Sequence, residues 1–120
     1  MIKRHTISIK NALKGLFWAL RTQPNYRVHL ALSLLAIFAG WMLKISYFEF
    51  ITVLVFIFMG LIIETVNTAI EATTDAIDQK WREDIKIAKD VSAAAMLIFA
   101  IGAIIIAGII FIPKILDFRY

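Results

Sequence analysis

A chain of 120 residues suits one domain, and its 61% hydrophobic content and mean hydropathy of +0.80 exceed what a soluble domain of that size can hide. The composition therefore points to lipid as the solvent. Net charge is +4 and cysteine is absent, which excludes disulfides and thiolate metal sites and leaves the redox compartment open.

The first predicted element is an amphipathic helix over 7–21. Ile9, Leu13, Leu16, Phe17 and Leu20 fall on one face, with Lys10, Asn11, Lys14 and Arg21 largely elsewhere. A basic amphipathic helix ahead of a first span lies in the inner headgroup layer, either as an anchor and topology signal or as a contact for phosphate. The long apolar run after it begins near Val28, too far from Met1 and too long for a cleavable signal, so no targeting segment is expected.

Three membrane helices follow. The first, 28–43, is about 24 Å long and slightly short for a bilayer core. The second, 47–78, is free of ionisable residues from Phe50 to Ile63 and has no Gly or Pro after Glu64 to stop it. The third, 88–112, is uncharged from Val91 to Ile112 and is expected to stop at Pro113. Fold class is thus an all-α membrane protein, one domain over 1–120, with a surface helix and three transmembrane helices. Residues 1–27 carry six Lys and Arg and the 76–90 loop four, against three elsewhere, which places the N-terminus and that loop in the cytoplasm and the C-terminus outside. Trp18, Trp41 and Tyr47 read as interfacial belt residues.

The polar end of the second helix carries the chemistry. In "ETVNTAIEATTD", at about 100° per residue, Asn67, Thr68, Glu71, Asp75 and the following Asp78 fall within about 60° of Glu64. Glu64 lies about 25 Å along the helix from Tyr47, at the inner edge of the hydrocarbon. Lys89 and Asp90 start the third helix at the same depth. A solvated helix end with Lys89 pairing one acid accounts for Asp75 and Asp78 as well as a site does. It accounts poorly for Glu64, because a carboxylate at the hydrocarbon edge is costly unless used or paired.

A channel needs polar groups along the whole crossing, and here the outer halves of the spans are nearly bare. The chemistry is one-sided. Carboxylates beside an amide suit Mg²⁺ with substrate phosphates, and a carboxylate at the lipid boundary suits a general base for a lipid hydroxyl. Those are parts for phosphoryl transfer from a nucleotide to a lipid alcohol. The five glycines are never closer than six apart, so neither a P-loop nor a GxGxxG loop exists, and a nucleic-acid partner is not expected.

At these residues the chain resembles the prokaryotic diacylglycerol/undecaprenol kinases, small membrane enzymes whose signature E-x-x-N-[ST]-[AS]-[IL]-E-x-x-x-D fits "ETVNTAIEATTD" throughout. "AKDVSAAAML" from Ala88, "QPNYRVH" from Gln23 and "FIPKI" near the C-terminus are similar to further family segments, the last of the Gram-positive branch. The resemblance covers about residues 8 to 115. It implies that Glu64 is the general base, with Asn67 and Asp75 as needed polar neighbours. Glu71 would ligate the Mg²⁺ carried by ATP, Lys89 would meet the ATP phosphates, and Asp90 would bind the nucleotide. It also implies a homotrimer in the cell's inner membrane with shared active sites, for which the small residues Ala93, Ala100, Ala103 and Ala107 would suit close packing.

Two features depart from the family pattern. Gln23 stands where many members carry a metal-binding Glu, which favours a catalytically inactive adaptor as the alternative, although an amide oxygen can still coordinate metal. The loop "KWREDIK" lacks the Tyr/His-His-Pro pattern of other members, leaving Trp81 as the expected stacking surface for adenine and Arg82 as a charge partner. His29 reads as an interfacial or packing residue and His5 as solvated. Acceptor selection is expected around Phe56, Met59, Gly60 and Ile63 with the first span and the surface helix.

Overall fold

The structure is a computed structural model that describes residues 2–117, with side chains from Thr6 onward. His5 therefore lies outside the described side chains. Four helices follow one another: α1 (Ile2–Thr22), α2 (Pro24–Met42), α3 (Tyr47–Ile77) and α4 (Glu83–Asp117). Among the described residues there is no strand.

Each connection has a local cause. Gln23 alone separates α1 from α2, in an extended conformation (φ −100°, ψ 111°). Pro24 imposes it, because the ring disfavours the helical region for the preceding residue and is itself well placed in a first turn. Between α2 and α3 the chain turns through Lys44 in the left-handed region (φ 50°), and the Ile45 amide closes the end by donating to Gly40 O at 3.1 Å. Ser46 then caps α3 in a capping box. The Glu49 amide donates to Ser46 Oγ at 3.3 Å, and the Ser46 amide donates to Glu49 Oε2 at 2.6 Å. At the far end Asp78 leaves the helix extended, and its carboxylate accepts from the Lys80 amide at 2.8 Å, a side-chain turn that stops α3 without Gly or Pro.

α3 and α4 form a long antiparallel hairpin, α2 lies against α3, and α1 touches both α2 and α3. Of the helices, α3 and α4 are long and apolar enough to cross a membrane. Their 31 and 35 residues make about 46 and 52 Å of helix, more than the ~30 Å of a hydrocarbon core, so each must extend beyond it. α2 has 19 residues, and its first turns carry Asn25, Arg27 and His29, which leaves a shorter apolar stretch.

The packing is inside-out for a water-soluble protein. Among the described residues the buried apolar ones are Ala19, Tyr26, Val53 and Ile110, while Leu97, Ile98, Ile101, Ile104, Ile105 and Ile109 of α4 all face outward. The buried polar residues are Glu64, Asn67, Thr68, Thr74 and Ser92. That distribution is what lipid as solvent demands.

Four helix bounds differ clearly from those expected from sequence. α1 begins before residue 7 and α2 at Pro24, since the basic segment between them is interrupted only at Gln23. α4 starts at Glu83, where acids in the first turn favour a helix N-terminus, rather than at 88. It also does not stop at 112. Pro113 sits inside α4, which runs on to Asp117. The proline removes one amide donor, and the next residue, Lys114, reaches Glu49 at the start of α3 (3.6 Å), tying the last turn down.

One contact sets how closely α3 and α4 approach. A Cβ added to Gly60 would lie 2.6 Å from Phe99 Cζ. Gly60→Val is therefore expected to destabilise the detergent-solubilised protein by about 1–3 kcal/mol through overpacking. Thermal unfolding checks this, and the double variant Gly60→Val/Phe99→Ala should recover part of the loss.

Candidate active site

The site is built on the α3 face that meets the start of α4. Ser92 is the joint. Its Oγ donates to Asn67 Oδ1 at 2.7 Å and lies 2.9 Å from the Lys89 carbonyl. Asn67 Nδ2 in turn donates to Glu71 Oε1 at 3.2 Å. The amide orientation follows from its partners, because the opposite one would turn an oxygen toward the Glu71 carboxylate. A buried serine, a buried amide and a half-buried carboxylate thus form one connected chain.

Toward the loop the site becomes wetter. Lys89 Nζ donates to Asp75 Oδ1 at 2.5 Å, with both side chains partly exposed. Exposed pairs of this kind contribute little to stability and are easily exchanged. Toward the membrane it becomes drier. Glu64 is only 3% exposed, and among the described residues no hydrogen bond or ion pair reaches its carboxylate. Its electrostatic neighbours are His29 of α2 and Glu71. Tyr26, buried at the start of α2, meets Thr65 Oγ1 at 3.3 Å and ties α2 to the same level of α3.

The structure brings Glu64, Asn67, Glu71, Asp75 and Lys89 onto one face. It does not bring in the remaining candidates. Asp90 turns away and pairs with Lys86 at 2.7 Å. Arg82 binds its near neighbour Asp84 through two nitrogens, at 3.1 and 2.6 Å. Trp81 projects into open space, 77% exposed. Among the described residues the Gln23 side chain donates to Thr22 Oγ1, at 3.4 Å, and not to the polar face. Sequence reasoning gave no role to Ser92, although it lies three residues after Lys89 and hence on the same face of α4. Thr68, buried beside Asn67, was on the wheel but without a role.

Among the described residues no three acidic or imidazole side chains gather closely enough to hold a metal by themselves. Glu71 keeps its second oxygen free of described partners beside the amide of Asn67. A hard-oxygen set of one or two carboxylates fits Mg²⁺, which completes its shell with water and substrate phosphates.

Ser92→Ala removes the donor that satisfies Asn67 Oδ1 in a buried position. The variant is expected to lose about 1–3 kcal/mol, read as a lower melting temperature in detergent. An unchanged melting temperature would mean that Asn67 does not depend on Ser92.

The sequence pattern of the prokaryotic diacylglycerol kinase family matches residues 10–111. The undecaprenol kinase of Bacillus subtilis (strain 168) is 32% identical over 114 residues, covering 95% of this chain and 93% of that protein. The diacylglycerol kinase of Synechocystis sp. (strain ATCC 27184 / PCC 6803 / Kazusa) is 32% identical over 112 residues, covering 92% of this chain and 64% of that protein. The match runs from within α1 to near the end of α4, through the whole buried polar face, and on that ground this chain is a member of the prokaryotic diacylglycerol kinase family, a family of lipid kinases.

Proposed function

We propose that this protein transfers the γ-phosphate of MgATP to the hydroxyl of a membrane lipid alcohol at the cytoplasmic face. One observation carries the reading: Glu64, a buried carboxylate without a hydrogen-bond or ion-pair partner among the described residues, stands at the dry end of a polar row whose wet end is the Lys89–Asp75 pair. A proton acceptor for a lipid and a charge partner for phosphate thus lie along one face of the α3–α4 hairpin, with Glu64 and the Asp75 that holds Lys89 about 16 Å apart along α3.

In this reading Glu64 takes the hydroxyl proton of the lipid. The lipid oxygen then bonds to the γ-phosphorus as its bond to the β–γ bridging oxygen breaks, and ADP leaves. Glu71, held by Asn67, would hold Mg²⁺, which supplies neutralisation of the phosphate charge when bound. Lys89 exchanges Asp75 for the phosphate oxygens, and Asp75 steadies it between turnovers. Asp90, Trp81 and Arg82 flank the open loop side, where nucleotide enters, and Gln23 would reach the metal only after its side chain turns away from Thr22.

We read the whole chain as a single kinase unit, with α2 as a third crossing that is short because its first turns sit in the headgroup layer. The basic ends favour cytoplasmic placement of the N-terminus and the α3–α4 loop, with the C-terminus outside, in the inner membrane. The broad outward apolar faces of α3 and α4 leave room for neighbouring copies, as in a homotrimer.

Incubation with labelled ATP, Mg²⁺ and undecaprenol or diacylglycerol is expected to yield labelled lipid; no labelled lipid with either would reject the kinase reading in favour of an inactive adaptor. Glu64→Gln is expected to lower kcat by about 10²-fold or more with little change in Mg²⁺ dependence, whereas Glu71→Gln should raise the Mg²⁺ requirement itself. Equal shifts in Mg²⁺ dependence for both would contradict the division of roles. Gln23→Glu should alter the metal response if this residue neighbours the ion.

A further inference from the structure

The carboxamide of Asn67 is buried, and a half-turn of the group would exchange its oxygen and nitrogen with no change of shape. Its partners decide between the two arrangements. Ser92 Oγ, itself buried, stands 2.7 Å from one end and Glu71 Oε1 stands 3.2 Å from the other. A carboxylate only accepts, so the end toward Glu71 is the nitrogen and the oxygen faces α4. Among the described residues Ser92 is the one donor that reaches that oxygen.

The Ser92 hydroxyl has a single proton and two acceptors within reach, Asn67 Oδ1 at 2.7 Å and the Lys89 carbonyl at 2.9 Å. A carbonyl inside a helix already accepts from the amide one turn on. The Asn67 oxygen has no such provision and depends on the serine.

We propose that Ser92 is a positioning residue for the metal-binding carboxylate: by fixing the direction of the Asn67 amide it holds one oxygen of Glu71 in place and leaves the other for Mg²⁺. The inference rests on the kinase reading and adds a residue to the same site. Without the hydroxyl, neither arrangement of the amide is satisfied. One leaves a buried oxygen without a donor, and the other sets that oxygen against the Glu71 carboxylate. Asn67 then gives up its place, and Glu71 regains the freedom that the amide had removed. A carboxylate that must be ordered as it binds an ion binds it more weakly. Lys89 stands apart from this chain, because its ammonium is held by Asp75. The loss therefore falls on the Mg²⁺ requirement and spares the transfer step once Mg²⁺ is saturating. A serine that served packing alone would lower the melting temperature and leave the Mg²⁺ response where it was.

The test is a Mg²⁺ titration of the full chain in detergent with a non-hydrolysable ATP analogue. It is read as the rise in melting temperature over each variant's own metal-free value. A parallel titration of lipid phosphorylation with ATP gives the Mg²⁺ requirement and kcat at saturation. Ser92→Ala is expected to raise the half-saturating Mg²⁺ by about threefold or more in both, with kcat at saturating Mg²⁺ within about twofold of wild type. Ser92→Cys, of similar shape but a weak donor, should move it the same way, and Ser92→Thr, which keeps the hydroxyl, should restore the wild-type titration. Thr52→Ala removes a hydroxyl of α3 that donates to the Phe48 carbonyl, and should leave the titration unchanged. In an Asn67→Ala background Ser92→Ala should add no further shift, because the serine acts through the amide. An unchanged titration in both Ser92→Ala and Ser92→Cys, or an equal shift with and without Asn67, overturns the inference, while phosphorylated lipid from the wild type leaves the kinase reading standing. A wild type that is stabilised by Mg²⁺ with the analogue but phosphorylates no lipid removes the kinase reading, and the thermal titration then decides the inference by itself. No response to Mg²⁺ in either assay removes both.

Discussion

The hydrogen bond from Ser92 to Asn67 is the contact on which the rest of the site depends. Two apolar helices in lipid gain little from sliding past one another to any particular register, because lipid tails are as apolar as their side chains. A buried polar pair breaks that degeneracy, since any other register leaves an amide oxygen without a donor. Once Asn67 faces Ser92, the antiparallel hairpin sets Gly60 opposite Phe99, Asp75 opposite Lys89 and Glu49 opposite Lys114. The outer ion pair is weaker at 3.6 Å and partly exposed, so it follows the register more than it selects it.

The other hydroxyls show how polar groups are tolerated in such surroundings. Ser33, Thr52, Thr65, Thr73 and Thr74 each donate to a carbonyl one turn earlier in their own helix, at 2.6 to 3.0 Å. That satisfies the donor locally and needs no partner on a second helix. Against this background the interhelical bonds of Ser92 to Asn67 and of Tyr26 to Thr65 are exceptions, as is the Glu64 carboxylate, which has no hydrogen bond among the described residues.

Much of this was legible in the sequence. Helical period alone put Glu64, Asn67, Glu71 and Asp75 on one face, and charge with depth brought Lys89 to meet it; the Lys89–Asp75 pair and the Asn67–Glu71 bond lie on that face. What period cannot report is which residue of a facing helix closes the contact, so Ser92 passed unnoticed. Of the positions expected to select the acceptor, Phe56 and Gly60 line a cavity between α2, α3 and α4, while Met59 and Ile63 of the same helix do not. Phe99, which also lines it, comes from α4 and lies against α3 where Gly60 leaves the backbone bare. Pro113 misled for a different reason. A proline reads as a stop from local rules, yet in α4 the turn beyond it is held by Lys114 reaching across to Glu49.

Along α3 the strength of attachment grows and then ends. At the loop side, Asp75 and Lys89 share an exposed, exchangeable pair; a turn deeper, Glu71 is held by an amide that is itself held by Ser92; deeper still, Glu64 is buried and held by nothing among the described residues. The gradient suits a reaction that joins a water-soluble donor to a membrane-bound acceptor. Groups that meet a nucleotide must release it at each turnover, and weak screened pairs do so readily. The group that orients the transfer must not move, and a buried chain of hydrogen bonds keeps it still. In the proposed reaction the group that accepts a proton must keep a lone pair free, and Glu64, 3% exposed and without a hydrogen bond among the described residues, does so. In the proposed reaction, the packing that makes the hairpin stable in lipid therefore also orders the three tasks along one helix, from wet to dry.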